Sequence, residues 1–314
     1  MNSPTTMPLQ CHDAETQLYV DKESPEGLPI GNQMHEEEED QHESKRNFMS
    51  QNRWPLYRYR WRLREYVAEF FGTFFLVTFG TGVVATTVFH GGTTAMYQSN
   101  SSYLAITFGW AFGLAISLFL SMAVSGGHLN PAVTLANCVF GTFPWVKLPG
   151  YFLAQFLGGF VGAANTYVLF KSHFDEAEKR LLLNETMASK YGGIFATYPN
   201  VANTYAVWSE VFNTMALMMG ILAITDARMT PAVDYKPVAI GLLLFVIGIA
   251  SGINSSYGLN PARDLSPRIL SAMLWGSEPF TLHSYYFWIP LVVPFVGALF
   301  GMFLYVFFII PPSC

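Results

Sequence analysis

Hydrophobic positions along the chain gather into six long runs, roughly 66 to 89, 103 to 124, 149 to 170, 204 to 225, 237 to 256 and 285 to 309. A hydrocarbon core about 30 Å thick takes about 20 apolar residues of helix to cross, so each run is predicted to be a transmembrane span. Two further apolar stretches, 130 to 140 and 260 to 272, are too short for that. At 1.5 Å per residue, roughly 11 residues reach about 16 Å, and each stretch is predicted to be a half-helix entering from one side. Gly109/Gly113, Gly158/Gly162, Gly248/Gly252 and Gly297/Gly301 have the small-xxx-small spacing that lets membrane helices approach closely. The pattern predicts an all-α membrane protein with six spans and two re-entrant half-helices.

The short stretches begin with matching words, Asn130-Pro131-Ala132-Val133-Thr134-Leu135 and Asn260-Pro261-Ala262-Arg263-Asp264-Leu265. The first and fourth spans match as well, through Ala68-Glu69-Phe70-Phe71-Gly72-Thr73 and Ser209-Glu210-Val211-Phe212-Asn213-Thr214. Three spans is an odd number, so the second copy must cross the membrane in the opposite sense. That makes an inverted repeat whose site lies near the midplane, where the two half-helices meet tip to tip. Each start has a local reason: Asn is a good N-cap, and Pro suits the first helical position, where its missing N–H loses nothing.

Composition sharpens this picture. Of the residues, 51% are hydrophobic and only 12% charged, which argues against a soluble enzyme. The net charge of −5 hides three unlike tracts: −10 over residues 1 to 44, +7 over 45 to 64, and −2 over the rest. The first, with its Glu36 to Asp40 run, is read as a disordered acidic tail without a cleavable signal peptide. The basic tract (Lys45, Arg46, Arg53, Arg58, Arg60, Arg62, Arg64) places the N-terminus in the cytoplasm, and six spans return the C-terminus there. The expected organisation is a tail with a basic juxtamembrane patch over 1 to 62, a channel domain over 63 to 310 with repeats of about 63 to 175 and 200 to 310, and a short end, 311 to 314. Cys11, Cys138 and Cys314 make neither a disulfide framework nor a zinc spacing. Asn100, Asn184 and Asn254 head Asn-x-Ser/Thr motifs in segments this topology places outside or near the outer surface. No metal, cofactor or nucleic-acid partner is expected.

Glu69, Glu210, Arg263 and Asp264 are charges that no surface loop accounts for, and an intramembrane charge points to function. Two helix N-termini meeting at the centre each contribute about half a positive charge and unpaired N–H groups, which repel cations. Asn130 and Asn260 can cap through the side-chain oxygen while the amide NH₂ donates to a passing water or hydroxyl. The approach segments Ser125 to Leu129 and Asn254 to Leu259 offer carbonyl acceptors. The traffic this chemistry suits is neutral and hydroxyl-bearing. Paired buried Glu69 and Glu210 also admit a second reading, the proton relay of a coupled transporter. His128 could titrate near the inner mouth, although a neutral loop histidine is the plainer reading.

The doubled Asn-Pro-Ala motif, Ser125-Gly126-Gly127-His128-Leu129 before the first copy and Arg263-Asp264 after the second resemble the aquaporin family over roughly residues 60 to 310. Asp264 and Phe195-Ala196-Thr197-Tyr198-Pro199 resemble its glycerol-conducting branch, the aquaglyceroporins. The resemblance implies a passive channel for glycerol and water, with urea and trivalent metalloid hydroxides, that excludes protons and ions. It further implies a homotetramer in the plasma membrane. It assigns Trp110, Gly248, Tyr257 and Arg263 to a selectivity filter, and Glu69 and Glu210 to holding the re-entrant loops; Asp264 is read as anchoring the Arg263 loop by hydrogen bonds rather than touching the solute. Water-selective relatives typically carry Phe and His where this chain has Trp110 and Gly248, which disfavours a water-selective pore. Tyr257 stands where some glycerol channels have Phe.

Overall fold

The computed structural model describes residues 57–90, 100–226 and 235–310. The acidic tail, Lys45, Arg46, Arg53 and residues 311 to 314 lie outside them, as do Cys11 and Cys314. Leu63–Ile310 form one compact unit, and the helical residues Tyr57–Arg62 lie outside it. In order, the helices are α1 (Tyr57–His90), α2 (Asn100–Ser125), α3 (Pro131–Val139), α4 (Leu148–Leu169), α5 (Lys171–Lys179), α6 (Met187–Tyr191), α7 (Asn203–Thr225), α8 (Lys236–Ser251), α9 (Pro261–Trp275), α10 (Glu278–Tyr285) and α11 (Trp288–Leu304). A π-turn, Tyr305–Ile309, continues α11.

The two repeats are α1 to α4 and α7 to α11, and matching glycines join them in matching ways. A Cβ added at Gly158 or Gly162 of α4 would strike the Phe70 or Phe74 carbonyl oxygen of α1. In the second repeat, one at Gly297 or Gly301 of α11 would strike the Val211 or Met215 carbonyl oxygen of α7. Phe70 and Val211 directly follow Glu69 and Glu210, so backbone-to-backbone contact places each glutamate at the same depth in its repeat. The other two glycine pairs work differently: Gly109 and Gly113 receive the side chains of Val83 and Phe79, while Gly248 and Gly252 receive Tyr257. Across α1 and α4, Thr81 Oγ1 and Thr166 Oγ1 share a buried hydrogen bond of 2.7 Å. Half-helices α3 and α9 each pack against both α4 and α11, one helix from each repeat.

Five helices among the described residues are long and apolar enough to cross a membrane. The fifth expected span, 237 to 256, stops as helix at Ser251 and has 16 residues, about 24 Å. Its last residues are diverted because Ser255 Oγ and the N–H groups of Gly258 and Leu259 donate to Glu210, and Ser256 Oγ donates to the Tyr198 carbonyl. The half-helices are also unequal: α3 has 9 residues and α9 has 15, running past the expected end at 272 to Gly276, whose φ of 83° stops it. Between α4 and α7 the connection folds into α5 and α6, with Phe174 and Ala177 buried, which hydropathy alone did not reveal.

Candidate functional site

Asn130 and Asn260 adopt extended backbone and cap their helices through Oδ1, which accepts from Ala132 N (2.9 Å) and Ala262 N (3.0 Å) respectively. Asn260 Oδ1 also accepts from Arg263 N at 3.2 Å. The two tips are then tied crosswise: Asn130 Nδ2 donates to the Leu259 carbonyl (2.9 Å) and Asn260 Nδ2 to the Leu129 carbonyl (2.7 Å). One N–H of each amide is thus committed to the opposite loop. Pro131, Ala132, Pro261 and Ala262 are buried in the first turns behind them.

Leu129 and Leu259 are forced into the left-handed region, with φ of 49° and 55°. A non-glycine residue there stores about 1–2 kcal/mol, and its surroundings must hold it. Glu69 Oε1 accepts from Ser125 Oγ (2.7 Å) and His128 N (2.9 Å), and Oε2 accepts from Leu129 N (2.7 Å) and Gln155 Nε2 (2.8 Å). Glu210 Oε1 accepts from Ser255 Oγ (2.6 Å) and Gly258 N (2.8 Å), and Oε2 from Leu259 N (2.8 Å). Hydrogen bonds to a charged acceptor contribute about 1.5–3 kcal/mol each, enough to offset the strain. A second matched pair went unnoticed in the sequence: Tyr151 OH donates to the Ser125 carbonyl at 2.7 Å, and Tyr286 OH to the Ser255 carbonyl at 2.9 Å. Their signal was faint, a tyrosine near the start of the last span of each repeat.

A cavity of about 260 Å³ runs between the repeats, and Asn130, Asn260, His128, Trp110, Tyr257 and Arg263 all line it. Leucines, isoleucines and methionines of α2, α7 and α8 make its apolar wall, and no carboxylate is among the described residues that line it. A smaller void of about 20 Å³ adjoins it, and Trp110, Tyr257 and Arg263 line both spaces, so the two meet at these three. The Arg263 guanidinium carbon sits 4.1 Å from the centre of the Trp110 ring, while Nη1 donates to the Phe195 carbonyl at 3.3 Å. Gly248 does not line the cavity. The Tyr257 ring lies 3.2 Å from where a Gly248 Cβ would be, and the Tyr103 hydroxyl donates to the Gly248 carbonyl at 2.5 Å. His128 lies at the other side of the asparagines, its Nδ1 3.2 Å from Thr134 Oγ1 and its ring against Phe143 and Tyr151.

Asp264 faces away from the cavity. Its Oδ2 accepts from Thr197 N (2.7 Å) and Thr197 Oγ1 (2.5 Å), and its carboxylate pairs with Arg268, one turn along α9, at 2.9 Å. Arg268 is fully buried, which corrects the expectation that four intramembrane charges need an account. The Asp264-to-Arg268 spacing on a helix was the missed signal.

Inverted repeats, crossed asparagine tips and a cavity walled by apolar side chains define a membrane channel. The comparisons with known proteins agree: residues 57–305 match the model of the Major intrinsic protein family, and the chain belongs to that family. It is 40% identical over 264 residues to aquaglyceroporin-3 of Trypanosoma brucei brucei, covering 82% of this chain and 83% of that one. It is 41% identical over 250 residues to human aquaporin-9, covering 77% and 81%. The X-ray structure of the aquaglyceroporin from Plasmodium falciparum superposes with a TM-score of 0.68 at 31% identity, over 79% of this chain and 96% of that one.

Proposed function

We propose that this protein is a passive channel for glycerol and water, and for urea and other small neutral solutes including trivalent metalloid hydroxides, that excludes protons and ions. The observation that carries this reading is a cavity in which both asparagine amides, an arginine and an apolar wall meet, with no carboxylate among the described residues that line it. The crossed tie leaves the second N–H of each amide for a solute oxygen. A water accepting there must point its own hydrogens outward in both directions, which interrupts a proton wire. The apolar wall suits the carbon edge of a polyol. Trp110, Tyr257 and Arg263 form the selective narrowing in this reading, with Gly248 giving Tyr257 its room. The transporter alternative needs a carboxylate that reaches the solute, but Glu69 and Glu210 are engaged by the loops and neither lines the cavity.

Stopped-flow light scattering on liposomes holding the full chain tests the reading. A glycerol gradient should shrink the vesicles and then reswell them well above the empty-vesicle rate. Fast shrinkage without reswelling would instead make the pore water-selective.

The reading also has both termini in the cytoplasm of a plasma-membrane protein, on the strength of the basic tract before the first span, and a homotetramer, as the family resemblance implies. Asn184 can report that orientation, because it is exposed on a turn, whereas Asn254 belongs to the loop that carries the cavity. In microsomes, Asn184→Gln should abolish an endoglycosidase-sensitive mobility shift of the full chain. A wild-type chain that shows no such shift, and whose tail is protected inside the vesicle, would reverse the orientation.

A further inference from the structure

Arg268 has no place in the channel reading so far, yet it is 0% exposed and is among the most heavily bonded side chains in the molecule. Its Nε donates to Asp264 Oδ1 at 2.9 Å and its Nη2 to Asp264 Oδ2 at 3.2 Å. Nη2 also donates to the Thr197 carbonyl at 2.7 Å, and Nη1 to the Pro279 carbonyl at 2.8 Å. The Tyr198 ring lies 4.8 Å from the guanidinium carbon. Thr197 is therefore gripped from both sides, its N–H and hydroxyl by Asp264 and its carbonyl by Arg268.

The segment so gripped reaches the narrowing at two points. Two residues before Thr197, the Phe195 carbonyl accepts from Arg263 Nη1 at 3.3 Å. One residue after it, the Tyr198 carbonyl accepts from Ser256 Oγ at 2.8 Å, and Ser256 directly precedes Tyr257. Two of the three residues at the narrowing are thus set by carbonyls that flank Thr197. The pair also governs charge. Asp264 adjoins Arg263 in sequence, and with its carboxylate taken up by Arg268 it leaves the Arg263 charge directed at the cavity.

We infer that Arg268 is a positioning residue for selectivity: through Asp264 and the Phe195–Tyr198 segment it fixes where Arg263 and Tyr257 stand, and so sets the glycerol-to-water ratio. Stability alone is a poor account of a fully buried ion pair, because well-packed apolar residues of similar volume often do as well. What a guanidinium supplies, and a methionine or lysine does not, is a planar fork that bonds a carboxylate and two carbonyls at once. The inference rests on the channel reading, and its test separates the two.

Glycerol and water permeabilities are measured in the same liposomes holding the full chain, as wild type, R268K, R268M and D264N/R268M. Both solutes use the same folded channels, so their ratio does not depend on how much protein folds. R268M should lower the glycerol-to-water ratio about fivefold, the effect of about 1 kcal/mol at the barrier. R268K, which keeps the charge but not the fork, should fall between. If R268M alone does not fold because Asp264 is left as an unpaired buried charge, D264N/R268M carries neither charge and should show the same lowered ratio. Unchanged ratios in the variants that fold, with only thermal stability reduced, would overturn the inference and leave Arg268 a structural residue. A wild-type channel that passes no glycerol would overturn the channel reading instead.

Discussion

Glu210→Gln is expected to destabilise the folded channel strongly, and more than Glu69→Gln does. Three donors converge on the two Glu210 oxygens, two of them backbone N–H groups that cannot turn away. Glutamine keeps one acceptor oxygen and turns an NH₂ toward buried donors. At least one donor is stranded, at about 1–3 kcal/mol, and the surviving bonds lose the strength a charged acceptor gives. Leu259, held at a φ of 55°, then loses part of what offsets its strain. A total of about 3–5 kcal/mol is a large share of the 5–15 kcal/mol by which typical proteins are stable. Glu69 has a way out that Glu210 lacks: one of its donors is Gln155, whose own Oε1 has no hydrogen-bond partner. Turning the Gln155 amide would offer that oxygen to the new NH₂ and recover a bond, at the loss of the one to Thr134. Thermal unfolding in detergent should therefore rank wild type above Glu69→Gln above Glu210→Gln. Equal stability of all three would show that the carboxylates do not hold the loops.

Arg263→Ala should leave the fold largely intact and change what passes. The substitution takes a side chain of 8% exposure out of the narrowing, together with its stacking on Trp110 and its bond to Phe195. Five-carbon polyols should gain at least about tenfold in permeability relative to glycerol, corresponding to about 1.4 kcal/mol of barrier. A unit charge about 4 Å away contributes about 4 kcal/mol at an effective dielectric of 20, so cation leak should rise as well. That rise should be partial, because the two half-helix N-termini at Asn130 and Asn260 keep their own positive ends. Polyol ratios identical to wild type would remove Arg263 from the narrowing.

The parts of this architecture legible in the sequence are those with a local or repeated signature. Asn-Pro starts two helices by capping and steric rules that need no tertiary context, and their recurrence with a glutamate at the start of each repeat betrays the inversion. Long-range capture leaves no such mark. The fifth span reads as apolar to residue 256, and the bonds to Glu210, 45 to 49 positions away in sequence, and to the Tyr198 carbonyl explain why Ser255 to Leu259 are not helix. Glycine spacing likewise cannot say what fills the gap: Gly158 receives a carbonyl and Gly252 a tyrosine ring, with the same motif. The partners of Arg268 are not legible in the sequence, because the two carbonyls it bonds come from other segments. In the structure α9 runs on to Trp275, and Pro279 and Thr197 close over the guanidinium.

The most direct test of passive conduction is accumulation of labelled glycerol in liposomes holding the full chain under an imposed pH gradient. A channel lined as this one is should bring internal glycerol to the external concentration and no further, at a rate linear in the gradient and indifferent to its pH component. Proton entry, followed with a trapped dye in the same vesicles, should match that of empty ones. Glycerol driven above its external concentration by the pH gradient would contradict the account and return Glu69 and Glu210 to the role of proton carriers.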